Sequence, residues 1–384
     1  MRILQISSAR SIGGGERHLI DLSSGLVERG HEVFVALRKG APVRQQLTSI
    51  APDHIFEVSL RHALDFGSAL KLSRIIRENE IEIVHAHLAR DYPLAALAMR
   101  HNSDVQLILT RHVLFPLGKI HLLTFLRVSK IIAVSHAVAR ALSKQPRFPK
   151  EKIRIVHNGI NIGRIDEQLE RFDRESVLGK LGLPLNRSLV ASVGELNPLK
   201  GHEDFIAAAS KIALQNGEVD FVIVGDDRSN WKEYRVKLQK AVAASGLGNR
   251  LHFVRWVDEL ASFMKAADVF VSASYTESFG LAILEAMACA TPVVATRTEG
   301  AQELIEAGKC GLLVDVGKTD ELTSAILRLL DDDSLRRRLG GEAAIHARER
   351  FGLDRMVEET ERIYAEDRHG EGGRGKGEGK TAGS

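Results

Sequence analysis

Two glutamates eight positions apart, Glu277 and Glu285, are the residues of this sequence best placed to do chemistry. They stand in Ser274-Tyr275-Thr276-Glu277-Ser278-Phe279-Gly280-Leu281-Ala282-Ile283-Leu284-Glu285-Ala286-Met287-Ala288, directly after a buried-type run at 269–272. From Gly280 onward the residues are strong helix formers, and Ser278 and Gly280 suit a helix entrance. The amides of Phe279, Gly280 and Leu281 then face the crevice at the carboxyl end of a sheet, where open α/β sheets bind ligands. Eight residues make a little over two helical turns, so Glu277 lies at the mouth and Glu285 deeper along the helix. Carboxylates at those depths can hold sugar hydroxyls and a ribose at once. The blander arrangement has Glu277 complementing the helix dipole and Glu285 paired with a surface lysine. Against it, Glu285 is flanked by Ile283, Leu284, Ala286, Met287 and Ala288, where a carboxylate needs a specific partner.

Two turns have the residues to hold phosphate. Ser11-Ile12-Gly13-Gly14-Gly15-Glu16-Arg17-His18 leads into a helix-like stretch at 19–29. Gly14 and Gly15 permit close backbone approach, and a helix N-terminus offers free N–H groups to an anion. A plain tight turn explains the glycines equally. They lack the spacing of a dinucleotide fingerprint, and no acidic residue stands at the expected strand end. In the second half Gly194-Glu195-Leu196-Asn197-Pro198-Leu199-Lys200-Gly201 closes a strand at 188–193. A lysine there neutralises a diphosphate leaving group or is an exposed turn residue.

Positioning these loops takes a parallel sheet in each half. Short β-branched runs alternate with longer amphipathic stretches, which makes the chain α/β. The runs at 2–6, 32–37, 83–86, 106–110, 131–134 and 154–156 are expected strands of the first half. Those at 188–193, 219–224, 251–254, 269–272, 292–295 and 312–314 repeat the architecture in the second. The charged stretch 162–180 has the weakest hydrophobic patterning and marks the boundary. The reading is an N-terminal Rossmann-like domain at 1–170, a second at 171–350, a C-terminal helix at 351–367, and a disordered Gly/Lys/Glu tail at 368–384.

Bulk properties agree. A chain of 384 residues exceeds one core, and 44% hydrophobic with 27% charged residues is ordinary globular composition. The opening Met1-Arg2-Ile3-Leu4-Gln5-Ile6-Ser7 is too short for a signal peptide, and no window reaches the roughly 20 apolar residues of a spanning helix. Two cysteines, Cys289 and Cys310, make no disulfide framework, so a reduced cytoplasm fits. Residues 1–175 carry 26 Lys and Arg against 18 Asp and Glu, while the remainder is net acidic. The basic half suits an anionic membrane surface or a phosphate-rich partner, or is only solvated surface. No nucleic-acid partner is expected.

Taken together, these motifs resemble the family-4 retaining glycosyltransferases of the GT-B fold, whose signature is Glu, seven residues, Glu around Ser-Phe-Gly. The resemblance extends to Ile83-Val84-His85-Ala86-His87, Ala133-Val134-Ser135, His157-Asn158-Gly159-Ile160, Pro198-Leu199-Lys200-Gly201, Ile223-Val224-Gly225-Asp226 and Gly300-Ala301-Gln302-Glu303. It implies that Glu277 contacts the transferred sugar and Glu285 the nucleotide ribose. Lys200 and the amides from Ser278 to Leu281 would meet the diphosphate and sugar. His112 would lie beside the reacting sugar carbon, and Phe253 and Val257 against the base. One residue departs from the pattern: Glu195 stands where the family has a diphosphate-binding arginine. Arg297, Arg255 or Arg17 are the candidates to supply that charge. Asn161 replaces a common aspartate.

No Asp-X-Asp motif follows a suitable strand, and Asp226 and Asp227 adjoin each other. The expectation is therefore transfer without a metal or other cofactor, the nucleotide sugar being a substrate. The resemblance implies retention by front-face attack, with closure of an interdomain cleft in the cycle. For the acceptor, residues 113–130 mix large apolar groups with cations and no acid, which suits an interfacial membrane segment or a core helix beneath the cleft. With the basic first half this favours a lipid-linked glycan or lipopolysaccharide-type acceptor at the inner membrane face. The competing readings are a nucleotide-sugar epimerase of GT-B shape and a non-catalytic carbohydrate-binding protein.

Overall fold

A computed structural model describes residues 1–100, 102, 104–145, 148–228 and 232–366. The first half forms β1 (Arg2–Ser7), β2 (Glu32–Arg38), β3 (Ile55–Val58), β4 (Ile83–Ala86), β5 (Gln106–Arg111), β6 (Lys130–Ala133) and β7 (Ile153–Ile155). They pair in the order β3-β2-β1-β4-β5-β6-β7, all parallel. The second half forms β8 (Ser188–Val193), β9 (Val219–Val224), β10 (Leu251–Val254), β11 (Val269–Ser272), β12 (Val293–Thr296) and β13 (Leu312–Val314). Their order is β10-β9-β8-β11-β12-β13, again parallel. In each sheet the strand order reverses beside the first strand, at β1/β4 and at β8/β11. Such a reversal splays the flanking loops apart and opens a crevice at the carboxyl ends. The triple-glycine turn follows β1, the Lys200 turn follows β8, and the acidic segment follows β11.

The central strands are buried on both faces, which is why they read as continuous apolar runs. Val219–Val224 is buried throughout, Asp220 included. The helix Gly14–Glu28 places Leu19, Leu22 and Leu26 against β1 and β2 at helical spacing. Helix Leu353–Ala365 returns to that same face. Val357 occupies the room that Gly25 leaves open, and the Tyr364 hydroxyl lies 2.6 Å from His85 Nδ1. The return crossing is stitched by Ile160 and Leu353, whose amides donate to Phe351 and Ile160 carbonyls at 2.9 Å each.

The structure adds to the sequence reading or departs from it in three places. An edge strand, β3, adds to the expected runs: its Ile-Phe-Glu-Val is only partly buried, with Glu57 exposed in the middle of it. The weakly patterned stretch 162–180 forms helices Ile162–Glu170 and Arg174–Lys180. Asn161 and Asp173 cap them by accepting from Arg164 N at 2.9 Å and Ser176 N at 3.0 Å. Residues 113–129 do not form a core helix but a loop, a turn at Lys119–His121 and one short helix, Leu122–Phe125, ahead of β6. Leu114, Leu117 and Phe125 pack on the core, while Phe115 and Leu126 are exposed. The tail expected from 368 lies outside the described residues. Among those residues no helix is long and apolar enough to cross a membrane.

Candidate active site

Lys200 and Glu277 come from different loops and are brought together by two glycines. Gly201 adopts φ 65°, the left-handed region, and any side chain there would run into the carbonyl of Ala273. Its absence lets the Lys200 turn lie along the end of β11, where Tyr275 N donates to Leu199 O at 2.8 Å. Gly300 does the same from the other side: a Cβ would stand 2.7 Å from both Glu277 O and Phe279 N. Thus clamped, Glu277 Oε1 receives Lys200 Nζ at 2.6 Å and Ser274 Oγ at 2.8 Å. The second oxygen of the carboxylate is left for another donor.

Gly280 adopts φ 105° ahead of helix Leu281–Ala288, a backbone only glycine takes without strain. The amides of Phe279, Gly280 and Leu281 accordingly donate to no described group. Ser278 O accepts Ser135 Oγ at 2.5 Å, which ties this loop to the first half. The Phe279 ring is buried between His157 and Phe351, so only its backbone serves the cleft.

Across the cleft, the triple-glycine turn closes on the same helix start. Gly14 stands so near Leu281 that a Cβ would come within 3.1 Å of its Cδ1. Gly15 abuts the His112 ring, with 3.6 Å from its Cβ position to Cδ2. The turn is held by Glu16, whose Oε2 accepts the Gly13 amide at 2.9 Å. The structure therefore brings Gly14, Gly15, His112 and Leu281 into one place, as it does Lys200, Glu277 and Ser274.

His112 sits among further histidines. His18 Nδ1 lies 2.9 Å from Asn158 Oδ1, and His87 Nε2 lies 2.7 Å from Gln5 Oε1. His85 lies between Tyr364 and Thr110, 2.6 Å from each hydroxyl. Burial pushes the His18 ring down to about 4 and holds His85, His87 and His112 well below the usual imidazole range. All four rings are neutral at physiological pH.

Glu285 is half-buried on the second turn of its helix and accepts no hydrogen bond from the described residues. It is not paired with a surface lysine. Burial raises its carboxyl to about 7, against the opposing pull of Arg17 and Arg164 across the cleft, with Asp21 adding to the rise. Phe253, on the edge strand β10, packs into the second sheet's core and carries the Arg235 guanidinium 5.5 Å from its ring centroid. Val257 packs, partly buried, against the core cluster on the other side that includes Phe263.

Two of the three arginines read from the sequence are committed elsewhere. Arg297 pairs with Asp315 at 3.1 Å, and Arg255 with Asp226 at 3.3 Å. Arg17 instead faces Asp21 and Glu285 in the cleft itself. Glu195 itself is exposed and makes no ion pair among the described residues. The cation that reaches the glycine turn is Arg228. Its guanidinium donates to Ile12 O and lies 3.3 Å from the Cβ position of Gly13. Sequence spacing held no sign of it, because the contact spans 216 positions. Asp226 and Asp227 hold Lys232, Arg255 and the amide of Arg235.

Two Rossmann-like sheets facing one cleft, with loops from both converging on a helix entrance, define the GT-B class of transferase. Residues 12–164 match Glycosyltransferase Family 4 and residues 173–346 match Glycosyl transferases group 1. The chain belongs to glycosyltransferase family 4, which settles the choice among the three readings in favour of a transferase. It is 30% identical over 330 residues to the lipopolysaccharide core biosynthesis glycosyltransferase LpsE of Rhizobium meliloti, covering 85% of this chain and 88% of that one. It is 27% identical over 375 residues to N-acetyl-alpha-D-glucosaminyl L-malate synthase of Bacillus anthracis, covering 92% and 94%. The structure of Anabaena HepE in complex with UDP and glucose matches with a TM-score of 0.83 at 23% identity, over 95% of this chain and 99% of that one. At that identity the likeness bears on the fold.

Proposed function

We propose that this transferase moves a hexose-type sugar, with retention and without a metal ion, from a nucleotide-diphosphate sugar to a glycan or lipid-linked acceptor in cell-envelope polysaccharide or lipopolysaccharide synthesis. The observation that carries it is the 2.6 Å Lys200–Glu277 pair beside the undonated amides of the Gly280 loop. Glu277 keeps one oxygen for a sugar hydroxyl while its other oxygen orients Lys200. Charge developing on the leaving diphosphate meets the Lys200 ammonium, the amides of Phe279, Gly280 and Leu281, and Arg228. Preorganised donors of this kind stabilise an oxyanion without reorganising at the moment of reaction. The departing phosphate takes the proton of the attacking acceptor hydroxyl on the same face of the sugar. Glu285 meets the ribose, and Phe253 and Val257 border the base.

A nucleotide-diphosphate donor is supported by HepE's complex with UDP and glucose, and an envelope acceptor by the role of LpsE in lipopolysaccharide core biosynthesis. For a membrane surface the exposed Leu64, Phe66 and Leu70 at the start of helix Phe66–Glu78 offer apolar contact, while Lys39, Arg61 and Lys71 line a cleft there together with Glu57 and Asp65. The test is a thermal-shift screen against a panel of nucleotide sugars, followed by incubation of the best binder with candidate acceptors and assignment of the product anomer. An α-configured product from an α-configured donor is expected. Inversion, or an epimerised free donor, overturns the reading.

A further inference from the structure

Three imidazoles that no step above requires together converge beneath the glycine turn. His18 comes from helix Gly14–Glu28, His87 from the end of β4, and His112 from the end of β5. Each offers one ligating nitrogen, and these lie within 4.8 Å of one another. His18 and His87 are each 3% exposed. The amide oxygens of Asn158 and Gln5 can only accept, so the nitrogens facing them, His18 Nδ1 and His87 Nε2, carry the protons. His18 Nε2 and His87 Nδ1 are therefore bare lone pairs. Both are buried without a partner, and so is His112 Nε2.

We propose that His18, His87 and His112 form a binding site for one zinc-class transition-metal ion. One hydroxyl donates a single hydrogen bond and one water two, whereas a cation satisfies all three nitrogens. Three points within 4.8 Å of one another have a centre at most about 2.8 Å from each. Closing to the 2.0–2.1 Å of a zinc–imidazole bond takes each ring less than about 1 Å. Ring centroids 4.8, 5.6 and 5.9 Å apart suit imidazoles turned toward a common point. Asn158 and Gln5 are the outer partners that such ligands need, fixing tautomer and ring orientation. Three protein nitrogens leave the fourth position to water or an anion. The ion is not a requirement of transfer. It ties up His112 against Gly15, so metal occupancy switches the enzyme off, a consequence that rests on the place beside the reacting sugar carbon that the family resemblance implies for His112.

Titration of the apo protein with cobalt(II) and then zinc(II) tests the site without any assay of transfer. One equivalent of cobalt with the visible bands of a four- or five-coordinate ion is expected, displaced by zinc, and zinc raises Tm. His18→Gln, His87→Gln and His112→Gln lose these bands. Asn158→Ala and Gln5→Ala weaken binding by about 10–100-fold. His157→Gln, in the separate group of His136, His157 and Glu303, keeps them. No one-to-one complex in the wild-type chain, or bands that survive in a folded His18→Gln/His87→Gln double variant, overturns the proposal. Metal binding with undiminished transfer leaves the site standing and sinks the assigned role of His112.

Discussion

The ammonium of Lys200 stands 2.6 Å from Glu277 Oε1, and the same oxygen accepts Ser274 Oγ at 2.8 Å. Both donors use one carboxylate oxygen, so the pair is an orienting device with a free face rather than a closed ion pair. Removing either partner acts on the chemistry through the other. Glu277→Ala abolishes transfer and leaves Lys200 without its anchor. Lys200→Ala keeps Glu277 in place and lowers kcat by about 10²–10³-fold, the usual cost of one oxyanion donor. Glu277→Gln tests orientation apart from charge, since the amide still accepts from Ser274. Steady-state kinetics with the best nucleotide sugar decide the matter. Near-normal turnover in Glu277→Ala sinks the assignment.

Arg228 and Glu195 form a complementary test. Arg228 reaches the glycine turn from the second half, whereas Glu195 points an unpaired carboxylate into solvent at the position of the family arginine. Arg228→Ala is expected to weaken nucleoside-diphosphate binding by roughly tenfold, the worth of a hydrogen bond to a charged group. Tm should not move, because the guanidinium is exposed. Glu195→Arg should tighten binding of the same ligand. Calorimetry of UDP against both variants reads the two effects, and an Arg228→Ala variant that binds UDP as wild type refutes the substitution of one arginine for the other.

The contrast between these residues shows how far the sequence could be read. The central strands announce themselves because both faces are buried, so apolar runs such as Val219–Val224 are continuous; β3 escapes because an exposed Glu57 interrupts its four residues. The helices at 162–180 escape because their apolar positions are few among many charges. Within the site, Glu277, Gly280 and Glu285 are legible since they share one strand, loop and helix. Arg228 over Gly13, and His18 beside His87 and His112, are not. They meet only after two sheets have placed distant segments side by side, and no spacing along the chain encodes that.

Gly201 and Gly280 carry the local backbone cost of the site. Both have positive φ, at 65° and 105°. A β-carbon at 201 collides with the Ala273 carbonyl, while at 280 it meets only the Ile283 and Leu304 side chains. Gly280→Ala should therefore cost about 1–3 kcal/mol of stability, the scale of a strained backbone. Gly201→Ala should cost more, and it should separate the Lys200 turn from β11 and depress kcat as well. Chemical denaturation with kinetics on the same preparations tests the ranking. Equal stability of Gly201→Ala and wild type contradicts the packing described.

Glu285 makes stability and donor binding depend on pH in opposite ways. Its carboxyl is raised from the ordinary 4.5 to about 7, chiefly by burial. Between those values the native state holds a proton that the unfolded chain has released, so stability falls as pH rises through the window. It is fully present below about 4.5 and lost above about 7. Asp91 is raised to about 7 by the same cause, and Glu16, Asp21 and the buried histidines are shifted as well, so the raw profile mixes many groups. The difference between Glu285→Gln and wild type isolates one of them. The glutamine variant should gain Tm relative to wild type as pH climbs from 5 to 8, with no gain at the acid end. Donor binding should run the other way in the wild type, because only the ionised carboxylate accepts two ribose hydroxyls, and it should strengthen toward pH 8. A Tm difference that stays flat across the range shows that Glu285 ionises at its ordinary value and removes the basis for both effects.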